Sequence, residues 1–179
     1  MAMNDGCERE IQASGLTLTC SAYGQNSAPT VIFAHGGGQT RHAWKGAARS
    51  LGQQGFYSIA LDLRGHGDSE WAADADYGRD AYVGDISQAV DRLGMTSFVL
   101  VGLSLGGSNS VAYAAANPGR INALTVARHA TLGEKWEQDR HRYGEAHEHE
   151  TSEPEGILKS EVRGNDPKAC WYDYLCGTP

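Results

Sequence analysis

Several things are scarce in this 179-residue chain. No apolar run is long enough to span a bilayer, so no membrane partner is expected. Basic residues are in deficit, with 15 Lys and Arg against 22 Asp and Glu and a net charge of −7. That balance excludes a polyanion-binding surface, so no nucleic-acid partner is expected. Only four cysteines are present, well separated except for Cys170 and Cys176, which rules out a disulfide framework or a zinc-binding pattern. The opening Met1 to Glu10 is polar and acidic and lacks the apolar core of a secretory signal, so a cytoplasmic location is expected. Residues 134–155 contain no Val, Ile, Leu, Met or Phe, while eleven of these 22 positions are charged. Such a segment buries too little apolar surface to offset its ordering entropy and is expected to be poorly ordered. His141, His147 and His149 lie within it, but their spacing matches no tight metal site, and solvated charge is the ordinary reading.

What is present is an alternation of strands and helices over the first 127 residues. Ile11-Gln12-Ala13 and Leu16 to Cys20 flank Ser14-Gly15 and predict a hairpin. Apolar runs at Thr30–Ala34, Tyr57–Leu61, Phe98–Val101 and Ile121–Val126 predict buried parallel strands. Between them, Trp44, Ala47, Ala48 and Leu51 recur at helical spacing within 42–53. Tyr82, Ile86, Ala89, Val90 and Leu93 mark one face of a second helix starting near Asp80. A third helix is expected over 107–117, ending at Pro118. Trp71 to Tyr77 is a polar connection without a clear element. This pattern predicts an α/β class with a doubly wound, mostly parallel sheet. The expected organisation is one domain portion over 1–127 and a polar tail over 128–179.

Three loops at strand ends carry candidate chemistry. Gly102-Leu103-Ser104-Leu105-Gly106 joins a predicted strand to a predicted helix. A turn that sharp forces its serine into a strained conformation and admits only small flanking residues, here Gly102 and Gly106. It lifts the Ser104 hydroxyl off the sheet and aims the Leu105 amide at the same point. A glycine-rich turn with an incidental serine is the plain alternative. His35-Gly36-Gly37-Gly38 follows the strand at 30–34, and its glycines allow backbone N–H groups to gather around an anionic oxygen. Alone it reads as a flexible loop; paired with the elbow it is a candidate oxyanion hole, with Gly37 and Leu105 as donors. His35 is read as bracing the loop backbone, not as a general base. Leu61 to Ser69 includes Arg64, His66 and Asp68, which suit either a metal or acid–base site or, preferably, a loop-bracing hydrogen-bond network.

In combination and order, the His-Gly loop at 35–38, the Asp-Leu-Arg-Gly-His-Gly-Asp-Ser loop at 62–69 and the elbow at 102–106 resemble the α/β-hydrolase family, over about residues 11–126. The resemblance implies Ser104 as nucleophile, with Gly37 and Leu105 supplying the oxyanion hole and His35, Gly36, Gly102 and Gly106 supporting them. It implies no metal, no cofactor and a small-molecule substrate, but no particular one, because the fold hosts many chemistries. Relatives with an elbow Asp, including many epoxide hydrolases, form alkyl-enzyme esters. A serine there points to acyl transfer on an ester, lactone or thioester, or to perhydrolysis.

The tail departs from that family. A full member carries two more strand–helix units after the sixth strand, which hold the catalytic acid and the catalytic His, and neither unit is visible after Val126. A serine hydroxyl is a poor nucleophile until a base takes its proton. The expectation is a truncated or frameshifted serine hydrolase that is inactive or nearly so; the alternative is a non-catalytic fragment that only binds a ligand or partner. Shifting the frame forward by one base converts the single codon of Trp136 to Gly, and upstream it permits a segment like the Val-Asp-x-x-Pro-Arg-Leu-Glu that follows the sixth strand in many relatives. Without that continuation, Ile121 to Val126 is expected to be an exposed sheet edge, capable of self-association.

Overall fold

The computed structural model describes residues 6–127, together with the backbone of two short strands at 148–149 and 157–160. The strands are β1 (Cys7–Ala13), β2 (Leu16–Tyr23), β3 (Thr30–Ala34), β4 (Tyr57–Leu61), β5 (Phe98–Leu103), β6 (Ile121–Ala127), β7 (Glu148–His149) and β8 (Ile157–Ser160). The helices are α1 (Lys45–Gln53), α2 (Arg79–Arg92) and α3 (Leu105–Ala116). The strands lie in the order β1-β2-β4-β3-β5-β6-β8-β7. β3, β4, β5 and β6 run parallel to their mutual neighbours, while β1, β2 and β8 pair antiparallel.

The parallel strands read as continuous apolar runs because both faces are covered. Val31 and Phe33 of β3 and Val99 and Val101 of β5 pack with Ala48 and Leu51 of α1. The intervening Ile32, Ala34, Phe98 and Leu100 point the other way, into a cluster with Tyr82, Ile86, Ala89 and Val90 of α2 and Tyr113 of α3. The period-2 alternation thus survives inside runs that are apolar at every position.

Elements predicted from periodicity are all found, with shifted ends. The hairpin is longer than expected, and its two-residue turn has φ of 50° at Ser14 and 79° at Gly15, both in the left-handed region that two-residue hairpin turns favour. The helix expected from residue 42 begins as a 3₁₀ turn, Arg41–Trp44, and becomes α-helical at Lys45. The cause lies outside the segment: the Asp62 carboxylate accepts a hydrogen bond from the Arg41 amide (2.5 Å) and also holds its guanidinium. β5 extends two residues beyond the predicted strand, and α3 starts at Leu105, two residues early, so strand and helix meet at Ser104. The 71–77 connection forms turns only. No helix among the described residues is long and apolar enough to cross a membrane.

The edge expected over Ile121 to Val126 is covered at its end: β8 pairs antiparallel with β6, Val126 opposite Leu158 and Ala127 opposite Ile157. The unpaired backbone of a sheet edge is a strong template, and Ile157-Leu158 is the first aliphatic pair after the charged stretch. The edge expected over 121–126 is therefore shortened: Ile121 to Thr125 have no strand partner on that side among the described residues. The expectation of poor order over 134–155 falls outside the described residues, apart from β7.

Candidate active site

The chain runs from β3 to β4 on one side and later returns to β5 on the other side of β3. This reversal opens a crevice at the carboxyl ends of β3 and β5, where doubly wound sheets place their ligands. The loops leaving these two strands are 35–39 and the Ser104 elbow. The sheet order, not sequence proximity, brings residues near 37 and 104 together.

Ser104 separates β5 from α3 and has φ 49° and ψ −109°, a conformation L residues rarely adopt. Three backbone bonds fix the surroundings. The Ser104 amide donates to the Ala127 carbonyl of β6 (2.9 Å), the Ser104 carbonyl accepts from Ser108 (2.9 Å), and the Gly106 amide donates to the His35 carbonyl (3.1 Å). The flanking glycines are required by close approach. A Cβ on Gly102 would lie 2.6 Å from the Gly106 carbonyl oxygen, and one on Gly106 would lie 2.6 Å from the His35 carbonyl oxygen. The half-buried Ser104 hydroxyl has no histidine in hydrogen-bond contact among the described residues.

The 35–39 loop is a tight turn. The Gln39 amide donates to the Gly36 carbonyl (3.1 Å), and the Gly36 amide donates to the Gln39 side chain (3.0 Å). Gly37 is exposed, and a Cβ placed on it would stand 3.9 Å from the Leu105 side chain. Leu105 is the first residue of α3, so its amide is one of the N–H groups that a helix leaves without an internal acceptor. The two amides proposed from sequence as a donor pair thus belong to neighbouring residues at the mouth of the crevice.

His35 is fully buried and does not point at Ser104. Its Nδ1 lies 2.8 Å from the Gly36 carbonyl oxygen, and its Nε2 accepts the Leu63 amide at 3.1 Å. Burial depresses its pKa, partly opposed by the Gly36 bond, and favours the neutral ring.

The 62–69 loop is braced from both sides by arginines. Arg64 makes a two-pronged pair with Asp85 of α2, both contacts at 2.6 Å, and donates to the Asp76 carbonyl. The bond to Asp85 outweighs burial and holds the Arg64 pKa above its usual value. Arg41, only 2 % exposed, joins Asp62, Asp68 and Glu8 and donates to Ser21. His66 contacts the Arg64 carbonyl through Nδ1 (2.9 Å). The bracing network expected for this loop accounts for all three polar residues at 64, 66 and 68. No group of three potential metal ligands occurs among the described residues; His141 and His147 lie outside them.

Sequence reading missed Arg41 and Asp85, whose partners lie 20 to 33 residues away for Arg41 and 21 for Asp85. It also missed Gly107, where a Cβ would meet the Val126 side chain at 2.8 Å. The only available signal was an unbroken small-residue run at the start of α3.

Comparison with known proteins agrees with the fold. The chain is 35% identical over 114 residues to an esterase of Mycobacterium tuberculosis, covering 59% of this chain and 37% of that one. It is 32% identical over 104 residues to a bifunctional esterase/perhydrolase of Acinetobacter calcoaceticus, covering 58% and 37%. An epoxide hydrolase structure from Vigna radiata superposes with a TM-score of 0.66 at 26% identity, covering 71% of this chain and 39% of that one. The chain spans little more than a third of the length of these relatives. The family profile described as the alpha/beta hydrolase fold matches residues 29–147, two-thirds of the chain, and the chain belongs to that family.

Proposed function

We propose that this chain carries the nucleophile and oxyanion hole of a serine hydrolase for small ester-type substrates, acting through an acyl-enzyme on Ser104. The observation that carries the reading is the Ser104 backbone, φ 49° and ψ −109° between β5 and α3, with the Gly37 loop across the crevice. In this role the Ser104 hydroxyl attacks the carbonyl carbon, and the Gly37 and Leu105 amides donate to the developing oxyanion. An esterase and an esterase/perhydrolase among the similar proteins support ester chemistry. Epoxide opening is less suited to this elbow: attack by a serine hydroxyl would leave an ether, which has no carbonyl for water to attack.

With no histidine against the Ser104 hydroxyl among the described residues, turnover by this chain is expected to be a trace, of the kind triad-depleted enzymes retain. A fluorophosphonate probe read by mass spectrometry tests the assignment. Slow labelling on the Ser104 peptide, abolished in Ser104→Ala, is the expected result. Labelling that persists in Ser104→Ala, on another residue, would overturn it. Complete absence of labelling in the folded wild type would favour a fragment that only binds a ligand or partner.

A further inference from the structure

Both ring nitrogens of His35 are committed, and in opposite senses. The Gly36 carbonyl can only accept, so Nδ1 carries the proton; the Leu63 amide can only donate, so Nε2 carries the lone pair. The ring is therefore a bridge of fixed direction between two loops. One end is Leu63, in the loop that Arg41 and Arg64 brace. The other end is Gly36, whose carbonyl also accepts from Gln39 in the turn presenting Gly37. The His35 carbonyl meanwhile accepts from Gly106 in the elbow. One buried residue thus touches all three loops of the crevice.

We infer that His35 is a pH-sensitive positioning residue, which holds the Gly37 amide in place only as the neutral Nδ1–H tautomer. The inference rests on the reading of Gly37 as an oxyanion donor. A proton taken from solvent at Nε2 leaves the ring with two N–H groups and no lone pair. The Leu63 amide then faces a donor in a buried setting, and the bridge opens. The charged groups acting on the ring are few. The His66 ring packs at a tilt, 5.0 Å between centroids, and opposes a positive charge on His35, while Asp62 favours it. The Asp62 carboxylate is itself taken up by Arg41 and by the Asp68 amide.

Nitrogen-resolved NMR of the labelled chain, titrated from neutral to acid pH, tests this. The expected result is an Nδ1–H tautomer at neutral pH, with Gly37 and Leu63 amide signals that move along the His35 titration curve. Fluorophosphonate labelling of Ser104 should fall about tenfold per pH unit below the same midpoint. His35→Gln, which can accept from Leu63 but does not titrate, should flatten that profile; His66→Gln should leave it in place with the midpoint raised. An Nε2–H tautomer, a Gly37 amide that ignores His35 protonation, or unfolding above the His35 midpoint would each overturn the inference. If His35→Gln fails to fold, the wild-type signals decide alone. If Gly37 follows His35 but Ser104 is never labelled, the positioning role stands and the serine-hydrolase reading fails.

Discussion

Ser104 occupies a backbone conformation that costs a non-glycine residue on the order of 1–3 kcal/mol. The surrounding bonds to Ala127, Ser108 and, through Gly106, to His35 hold it there. A stability signature follows that is independent of activity. Ser104→Gly should be more stable than Ser104→Ala by about 1 kcal/mol, since glycine relieves the strain but adds unfolded-state entropy. Urea denaturation of the two variants checks this, and equal midpoints would mean the conformation carries no strain. At Gly37 the expectation is reversed, with little effect on folding and a large one on chemistry. The nearest atoms to a new Cβ are 3.9 Å away, so Gly37→Val should fold within about 1 kcal/mol of wild type. Its branched side chain would crowd Leu105, and Ser104 labelling should slow by up to about 10²–10³-fold, the usual effect of a lost oxyanion donor. Unchanged labelling would remove Gly37 from the proposed site.

Among the elements, the 62–69 loop is joined to α2 through the Arg64–Asp85 ion pair, which little water reaches. Asp85 and Arg64 have side chains 2 % and 4 % exposed, so removing one partner leaves a buried charge uncompensated. Asp85→Ala should cost about 3–5 kcal/mol, and Arg64→Met with Asp85→Leu should recover most of it. Chemical denaturation of the single and double variants measures the coupling, and a double variant no better than the single would show that the pair is not an isolated unit. This network also marks what the sequence concealed. The elbow was legible because its glycines, strand and helix are contiguous, and β3 and β4 were legible to the residue because they are apolar on both faces. Asp85 gave no such signal, as an acid on an amphipathic helix ordinarily faces solvent. Arg41 likewise reads as a surface residue until Asp62, Asp68 and Glu8 converge on it, just where the 3₁₀ turn that leads into α1 begins. β8 was illegible because its signal is two aliphatic residues beside a charged stretch, and only the edge of β6 gives them a place.

Across the whole molecule, the buried neutral His35 predicts how stability responds to acid. Its folded pKa is lowered by burial, so the unfolded chain binds the proton first. The contribution to stability is complete above the ordinary histidine pKa of about 6.5 and is lost as pH falls from there toward the folded value. In that window wild type should lose up to about 1.4 kcal/mol per pH unit relative to His35→Gln. Parallel denaturation curves at several pH values measure this difference, and a constant gap between the two proteins would contradict it.

The amide of Ser104 is bonded to the carbonyl of Ala127, the last residue of β6. β6 therefore works as a tether with two ends of unequal consequence. Its start, at Ile121, follows a surface turn, while its finish is clamped to the backbone of the proposed nucleophile. Force or displacement applied to the chain just beyond Ala127 reaches Ser104 through one hydrogen bond and the two rungs Gly102–Val126 and Leu103–Ala127. A displacement at the end of β6 is thus felt directly by the backbone of the elbow.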